Sequence, residues 1–246
     1  MAKEVLRNVS MFYGPLALAS QTNQLDTGVQ AAEVDVTNFG SAGWNEAIAG
    51  LASAAWKFDG FWDADAVNSE PDETTFESVG VAGVAASAVK ANPPVDGDIA
   101  YFLNVLSTHY QYLGQMGEAA KMSLAMKGTA PMVRGRVLEY VVDSAATHNG
   151  ASLQLGAVGA TQRLYLAIHV FGVSGTTQTL DVVIQSDDAT GFPSATTRIT
   201  VPQFTGLGTY YTSIAGPITD DWFRTSVTIG GTGTPKLSYL AVLGKR

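Results

Sequence analysis

A chain of 246 residues, 46% of them hydrophobic, has the material for one large β domain or two of ordinary size, yet only 15% of it is charged. The absence of cysteine excludes a disulfide framework, cysteine-ligated zinc and a thiol nucleophile. The net charge of −8 argues against tight binding of nucleic acid through clustered Lys and Arg.

In chain order, residues 5–19 read as extended, interrupted at Gly14-Pro15, and the polar stretch 21–28 reads as a loop or hairpin tip. Strand alternation resumes over 29–36, and a short helical turn is predicted over 43–50. Over 51–62, Ala54, Trp56, Phe58, Gly60 and Trp62 alternate with Ala55, Lys57, Asp59 and Phe61. Aromatics on both faces predict a strand covered on more than one side. Pro71 opens a predicted short helix whose early acids suit the positive end of its dipole.

Three further strands are expected over 79–91, 98–112 and 118–126, separated by Pro93-Pro94 with Asp96-Gly97 and by the turn at 113–117. Met122 and Met126 read as core filler. After Pro131 come short strands over 163–173, 178–186, 196–204, 209–215, 222–229 and 237–243. Their spacing, with no helical period between them, predicts an antiparallel sandwich of jelly-roll or immunoglobulin-like type. The chain is therefore read as mainly β, with a first domain over 1–136 and a second over 137–246.

Charge divides the same way. Residues 1–136 hold 15 acids against 8 bases, and residues 137–246 hold 7 against 6. The densest acidic segment is Asp59, Asp63, Asp65, Glu70, Asp72, Glu73 and Glu77, with no Lys or Arg between Lys57 and Lys90. It reads either as a solvated connection or as a negative surface facing another polyanion.

Little else carries chemistry. Gly230-Gly-Thr-Gly-Thr-Pro235 lacks the lysine and helix of a phosphate loop and reads as a hairpin loop. His109, His148 and His169 show no metal-ligand spacing, and His169, inside a strong strand, reads as a packed or surface residue. Asp187-Asp188 and Asp220-Asp221 read as turn formers, with a calcium site as the alternative. No enzyme, no cofactor and no metal is expected. The N-terminal residues lack the apolar stretch of a signal peptide, and no apolar run reaches the roughly 18 residues of a membrane span. A protein used without export and without a membrane partner is expected.

The first half resembles the major tail tube protein of long-tailed bacteriophages. The residues that carry the resemblance are Phe12-Tyr-Gly-Pro-Leu-Ala-Leu-Ala-Ser-Gln-Thr-Asn-Gln24 and Ala32-Glu-Val-Asp-Val-Thr-Asn-Phe-Gly40. They continue in Trp44-Asn-Glu-Ala-Ile-Ala-Gly-Leu51, in the strand ending Lys57-Phe-Asp-Gly-Phe-Trp-Asp63, and in the later pair starting at Tyr101 and Gly114. The resemblance spans about residues 9–128 and implies a tail-tube-like β-sandwich or barrel over 1–136. It also implies a virion tail protein, made in the host cytoplasm, that forms stacked, hexameric rings with copies of itself. Tape-measure and tail terminator proteins are the implied further partners, and DNA is implied only as non-specific cargo during ejection. On that reading the acidic segment faces the lumen or a neighbouring ring, and the second half is an outer domain. The alternatives are a capsid decoration or tail-associated binding protein that uses the C-terminal sandwich, and a lectin or carbohydrate-active enzyme built on it.

Overall fold

The computed structural model describes residues 8–63 and 71–246. Its first part holds β1 (Ser10–Tyr13), β2 (Leu16–Ala17), β3 (Thr22–Asp35), β4 (Ala47–Phe61), α1 (Pro71–Glu77), β5 (Ala82–Val89), β6 (Ile99–Leu113) and β7 (Lys121–Gly128). There follow β8 (Val133–Ser144), β9 (His148–Asn149), β10 (Leu153–Gln154), β11 (Arg163–Asp187), β12 (Thr196–Thr200), β13 (Gly208–Ala215) and β14 (Trp222–Lys245). Adjacent strands pair antiparallel throughout, as one hydrogen-bonded network ordered β12-β11-β14-β8-β6-β5-β1-β2, with β3, β4 and β7 branching from β6. The mainly β expectation holds, as do the helix at Pro71 and the strands near 82–128.

Two expectations for residues 21–50 are overturned. The polar stretch 21–28 is not a loop but the first half of β3, held by its register with β4 from Thr22↔Gly60 to Asp35↔Ala47. Long-range pairing here overrides the weak strand propensity of Gln, Asn and Asp. The helical turn predicted at 43–50 is also absent. A single 3-10 turn at Phe39–Ser41, capped by Asn38, leads instead into β4.

Strand alternation sorts the side chains into three cores. Met11, Tyr13, Trp56, Phe58, Ala86, Leu103, Leu124 and both predicted core methionines form the first. The opposite faces of β1, β5 and β6 present Phe12, Ala85, Val89, Ala100 and Phe102 to a second core, completed by Tyr165, Ala167, Leu240 and Val242. On the far side of β11, Leu164, Leu166, Ile168 and Val170 enter a third core with Leu180, Val182, Ile184, Phe223 and Val227. The molecule is a stack of four β layers with a core between each pair. The third core closes because the β11–β14 ribbon folds back on itself near 174–178 and 230–236. Register shifts between Val170 and Thr179 mark the bend. Gly231 sits there at φ 122°, where a Cβ would lie 2.6 Å from the Thr177 carbonyl oxygen. Gly230–Pro235 is therefore a bend within a paired ribbon and not a free hairpin loop.

Buried polar clips fix the layers to one another. His169, wholly buried, faces the Gly14 carbonyl with Nδ1 (2.8 Å) and Ser87 Oγ with Nε2 (2.7 Å). A carbonyl only accepts, so Nδ1 carries the proton and Ser87 donates to Nε2. Burial lowers the His169 pKa to about 4. His148 has the opposite sign. Burial alone would lower it, but acceptors at both ring nitrogens, the Ala146 carbonyl and the Glu139 carboxylate (each 2.8 Å), raise its pKa above the usual value.

The two histidines set two pH windows. The unfolded chain takes up a proton near pH 6.5, before folded His169 does, so stability should fall as pH drops from about 6.5 to 4, by on the order of 3 kcal/mol. Folded His148 holds its proton longer than the unfolded chain, so its contribution is complete below about 6.5 and fades as pH rises through its higher folded value. Urea midpoints measured from pH 4 to 9 should lose the acid slope in His169→Gln and the alkaline slope in His148→Gln. An acid slope unchanged in His169→Gln would remove this account.

Candidate assembly interface

The outermost layer is a four-stranded sheet, β3-β4-β7 and the second half of β6. Register joins Trp56 to Met126 and Phe58 to Leu124, then Leu124 to Tyr110 and Met122 to Tyr112. These residues share the face turned to the first core. The other face carries Asp26 and Gln30 from β3, Ala55, Lys57, Asp59 and Phe61 from β4, Lys121, Ser123, Ala125 and Lys127 from β7, and His109 and Gln111 from β6. No described residue covers this face. Phe61 is 46% exposed on it. The strand is thus covered on one side only, against the sequence expectation of cover on both.

Among the described residues, both edges of this sheet are free. β3 pairs with β4 alone. On β6, the ladder to β5 runs from Ala100 to Leu106 and ends at an isolated bridge between Val79 and Ser107. Beyond it, residues 108–113 have a strand on one side only, β7. Unpaired backbone donors and acceptors along two opposite edges form a template for another chain. The outer parts of β3 and β4 also leave the body as a two-stranded arm, on which Phe39, Trp44 (79% exposed) and Leu51 (88%) stand in water.

The predicted acidic segment is divided by the fold. Asp59 lies on the open face and pairs with Lys57 Nζ at 2.8 Å. Asp63 follows β4, is exposed, and accepts from Gln21 Nε2 at 3.3 Å. Asp72, Glu73 and Glu77 belong to α1, on the side of the first core. Asp72 is structural there: Trp62 Nε1 and the Tyr110 hydroxyl both donate to its Oδ1 at 2.7 Å. Burial, with the Asp72 carboxylate beside it, pushes the Tyr110 hydroxyl far above the ordinary phenol range, so it stays a donor. Glu73 and Glu77 are exposed. Asp65 and Glu70 lie outside the described residues. The charges the sequence reading passed over, Lys57, Lys121 and Lys127, dominate the open face together with Asp26 and Asp59.

Elsewhere polar groups are committed to structure. The Ser87–His169 pair resembles a nucleophile with its base, but both residues are fully buried and His169 is oriented by a carbonyl, not an acid. Asp187 accepts from the Ala189 and Ser194 backbone amides (3.0 and 2.8 Å), and Asp220 from Ser186 Oγ and Arg198 (2.6 and 2.8 Å). Asp187 shapes the turn after β11, whereas Asp220 ties β11 to β12 through Ser186 and Arg198. Among the described residues no group of three or more His, Asp or Glu side chains could hold a metal ion. No helix among them is long and apolar enough to cross a membrane.

No family model and no curated protein matches the sequence. Solved structures are similar in fold. A chain of the virion of a native gene transfer agent particle is similar at 16% identity and a TM-score of 0.40, over 54% of this chain and 98% of its own. The SPP1 tail tube is similar at 12% identity and 0.40, over 52% of this chain and 76% of its own. The SPP1 Dit protein, described as a hub adsorption apparatus of phages infecting Gram-positive hosts, is similar at 12% and 0.35, over 98% and 100%.

Asp72 gives a direct test of how the acidic helix is held. Asp72→Ala strands two donors and should cost about 2 kcal/mol, whereas Glu73→Ala, exposed, should stay within about 0.5 kcal/mol. Urea unfolding followed by tryptophan fluorescence separates the two. Equal midpoints would show that the helix is not anchored through Asp72.

Proposed function

We propose that this chain is a structural, non-enzymatic subunit that assembles with copies of itself into stacked rings forming the tube of a phage tail. The observation that carries the reading is the outer four-stranded sheet, with one face uncovered and both edges free. Pairing the β3 edge of one subunit with the β6 edge of the next extends the sheet from copy to copy. Closure of such a series into a barrel removes every exposed edge. A heterologous contact that closes gives a ring, and stacked rings give a tube. Six subunits per ring is the number that the sequence resemblance implies.

On this reading the open face lines the lumen, and residues 137–246 lie outside. The order of the layers supports that division, because three layers separate the third core from the open face. The lumen wall is then mixed in charge, with Lys57, Lys121 and Lys127 against Asp26 and Asp59. Pairing Lys57 with Asp59 blunts both charges. Such a wall lets a polyanion pass without binding it tightly, since affinity for phosphates depends on unpaired, clustered cations. Asp59 is the member of the acidic segment placed toward the lumen. Glu73 and Glu77, on α1, are placed toward the neighbouring subunit or ring. Passage of DNA, and contact with tape-measure and tail terminator proteins at the tube's ends, follow from the same reading.

The absence of native cysteine makes the edge pairing directly testable. Chains carrying one cysteine on β3 (Gln30→Cys or Asp26→Cys) and one on β6 (His109→Cys or Gln111→Cys) should give disulfide-linked ladders on mild oxidation. Non-reducing gels and negative-stain microscopy of the same samples provide the readout. Tubes that form while every cysteine pair yields monomer bands would rule out pairing between these edges.

A further inference from the structure

The second half of the chain buries one carboxylate deeply. Glu139, on β8, is 4% exposed and is held from both halves of β14. Thr225 Oγ1 from the first half and the Tyr239 hydroxyl from the second both donate to its Oε2 at 2.5 Å. Its Oε1 takes a third bond, from His148 Nε2 at 2.8 Å. Among the described residues no other ion pair reaches Glu139, so His148 supplies its counter-charge. A buried carboxylate stripped of such a partner is costly.

His148 faces an acceptor at each ring nitrogen, the Ala146 carbonyl at Nδ1 and the carboxylate at Nε2, both at 2.8 Å. Only the doubly protonated ring satisfies both. Either neutral tautomer sets a lone pair against an oxygen. The same residue belongs to the cover of a sheet edge. β9 pairs His148 with Val227 and Asn149 with Ser226, along an edge of β14 whose other side is taken by β11. Around it, the Gly150 amide donates to the Thr225 carbonyl (3.0 Å) and the Ile229 amide to Thr147 Oγ1 (3.2 Å). The fit is close, since a Cβ at Gly150 would lie 2.3 Å from Thr225 Oγ1. A two-residue strand with so few bonds opens readily once its anchor is lost.

We propose that His148 is a proton-operated latch: doubly protonated, it holds residues 145–150 on the β14 edge, and loss of one proton lets that segment open while the rest of the sandwich stays folded. Opening frees the backbone groups of residues 225–229 along that edge, a row with which another strand can pair. Burial opposes the charge on His148, but the Ala146 carbonyl and Glu139 outweigh it and raise its pKa. Asp96, from the connection between β5 and β6, accepts from the Tyr140 amide at 3.0 Å and sets a second negative charge near Glu139, with Asp98 close to it. That charge also favours the imidazolium. The Tyr239 hydroxyl, pushed far above the ordinary phenol range by burial and then by Glu139, stays a donor throughout. The latch therefore opens as pH rises. Its residues lie on β8, β9 and β14, so it stands or falls apart from the assembly reading.

Amide hydrogen exchange of the full chain tests it. The closed latch binds one proton more than the open one. Protection factors of Gly150 and Ile229 should thus fall by up to about tenfold per pH unit above about 6.5, and level off past the folded His148 value. Leu180, whose amide donates to the Phe204 carbonyl in the same layer, should keep its protection. His148→Gln retains a donor for Glu139 but no titrating proton, so protection at Gly150 and Ile229 should become independent of pH. In Glu139→Gln the ring titration of His148, followed by NMR, should move down toward about 6.5. Wild-type protection without a pH slope, a slope that persists in His148→Gln, or an unmoved titration in Glu139→Gln overturns the latch. So does equal loss at Leu180, which would mean that the whole sandwich opens together.

Discussion

Strand β6 changes partners half-way along, and the architecture depends on that change. Its first half is central, with β8 on one edge and β5 on the other. Its second half keeps only β7. A register shift between Ser107 and His109 marks the switch, and the Tyr13 hydroxyl bonds the buried Ser107 side chain from the neighbouring layer. One strand therefore serves as a central member of an inner layer and as an edge of the outer one. The inner half ties the two ends of the chain together, since β8 leads to β14. The outer half leaves an edge that no described residue fills, and in this structure the free edge and the continuous stack have the same cause.

The layering also sorts charge. Alternation puts Trp56 and Phe58 inward and Lys57 and Asp59 outward on one strand, so the open face receives whatever polar residues the sequence places between core positions. α1 packs on the opposite side because Asp72 is held by Trp62 and Tyr110. A cluster of carboxylates that looks uniform along the sequence is thereby split between two surfaces. The chain's net charge of −8 is in this sense not a property of any one surface.

What could be read from the sequence was what depends on neighbours in the chain. Period-two alternation over 51–62 and 163–173, the proline at the start of α1, and the methionines of β7 all have local signatures. Lost to such reading were features set by partners far away. Thr22 to Gly28 look like a turn and become a strand because β4, some thirty residues on, supplies their hydrogen bonds. Arg136 and Leu243 are more than a hundred residues apart and become neighbours only through the pairing of β8 with β14. The acidic arm had a signature, the absence of any Lys or Arg between Arg7 and Lys57, but its meaning required knowing that β3 and β4 outrun the core.

Free edges and exposed aromatics are ordinarily hazards, and proteins blunt them with charge, bulges or cover. Here the long edge of β3 carries Asp26, Glu33 and Asp35 and no base. Two such edges repel each other, so β3 is disfavoured as a partner for β3. The edge of β6 beyond Ser107 has no acid and carries His109 and Gln111, so it offers no such repulsion. Pairing of β3 with β3, which would stop growth at a dimer, is thus opposed electrostatically, while head-to-tail pairing of β3 with β6 is not. The same carboxylates that leave the arm unpaired in a single chain favour the orientation in which sheets can continue from copy to copy.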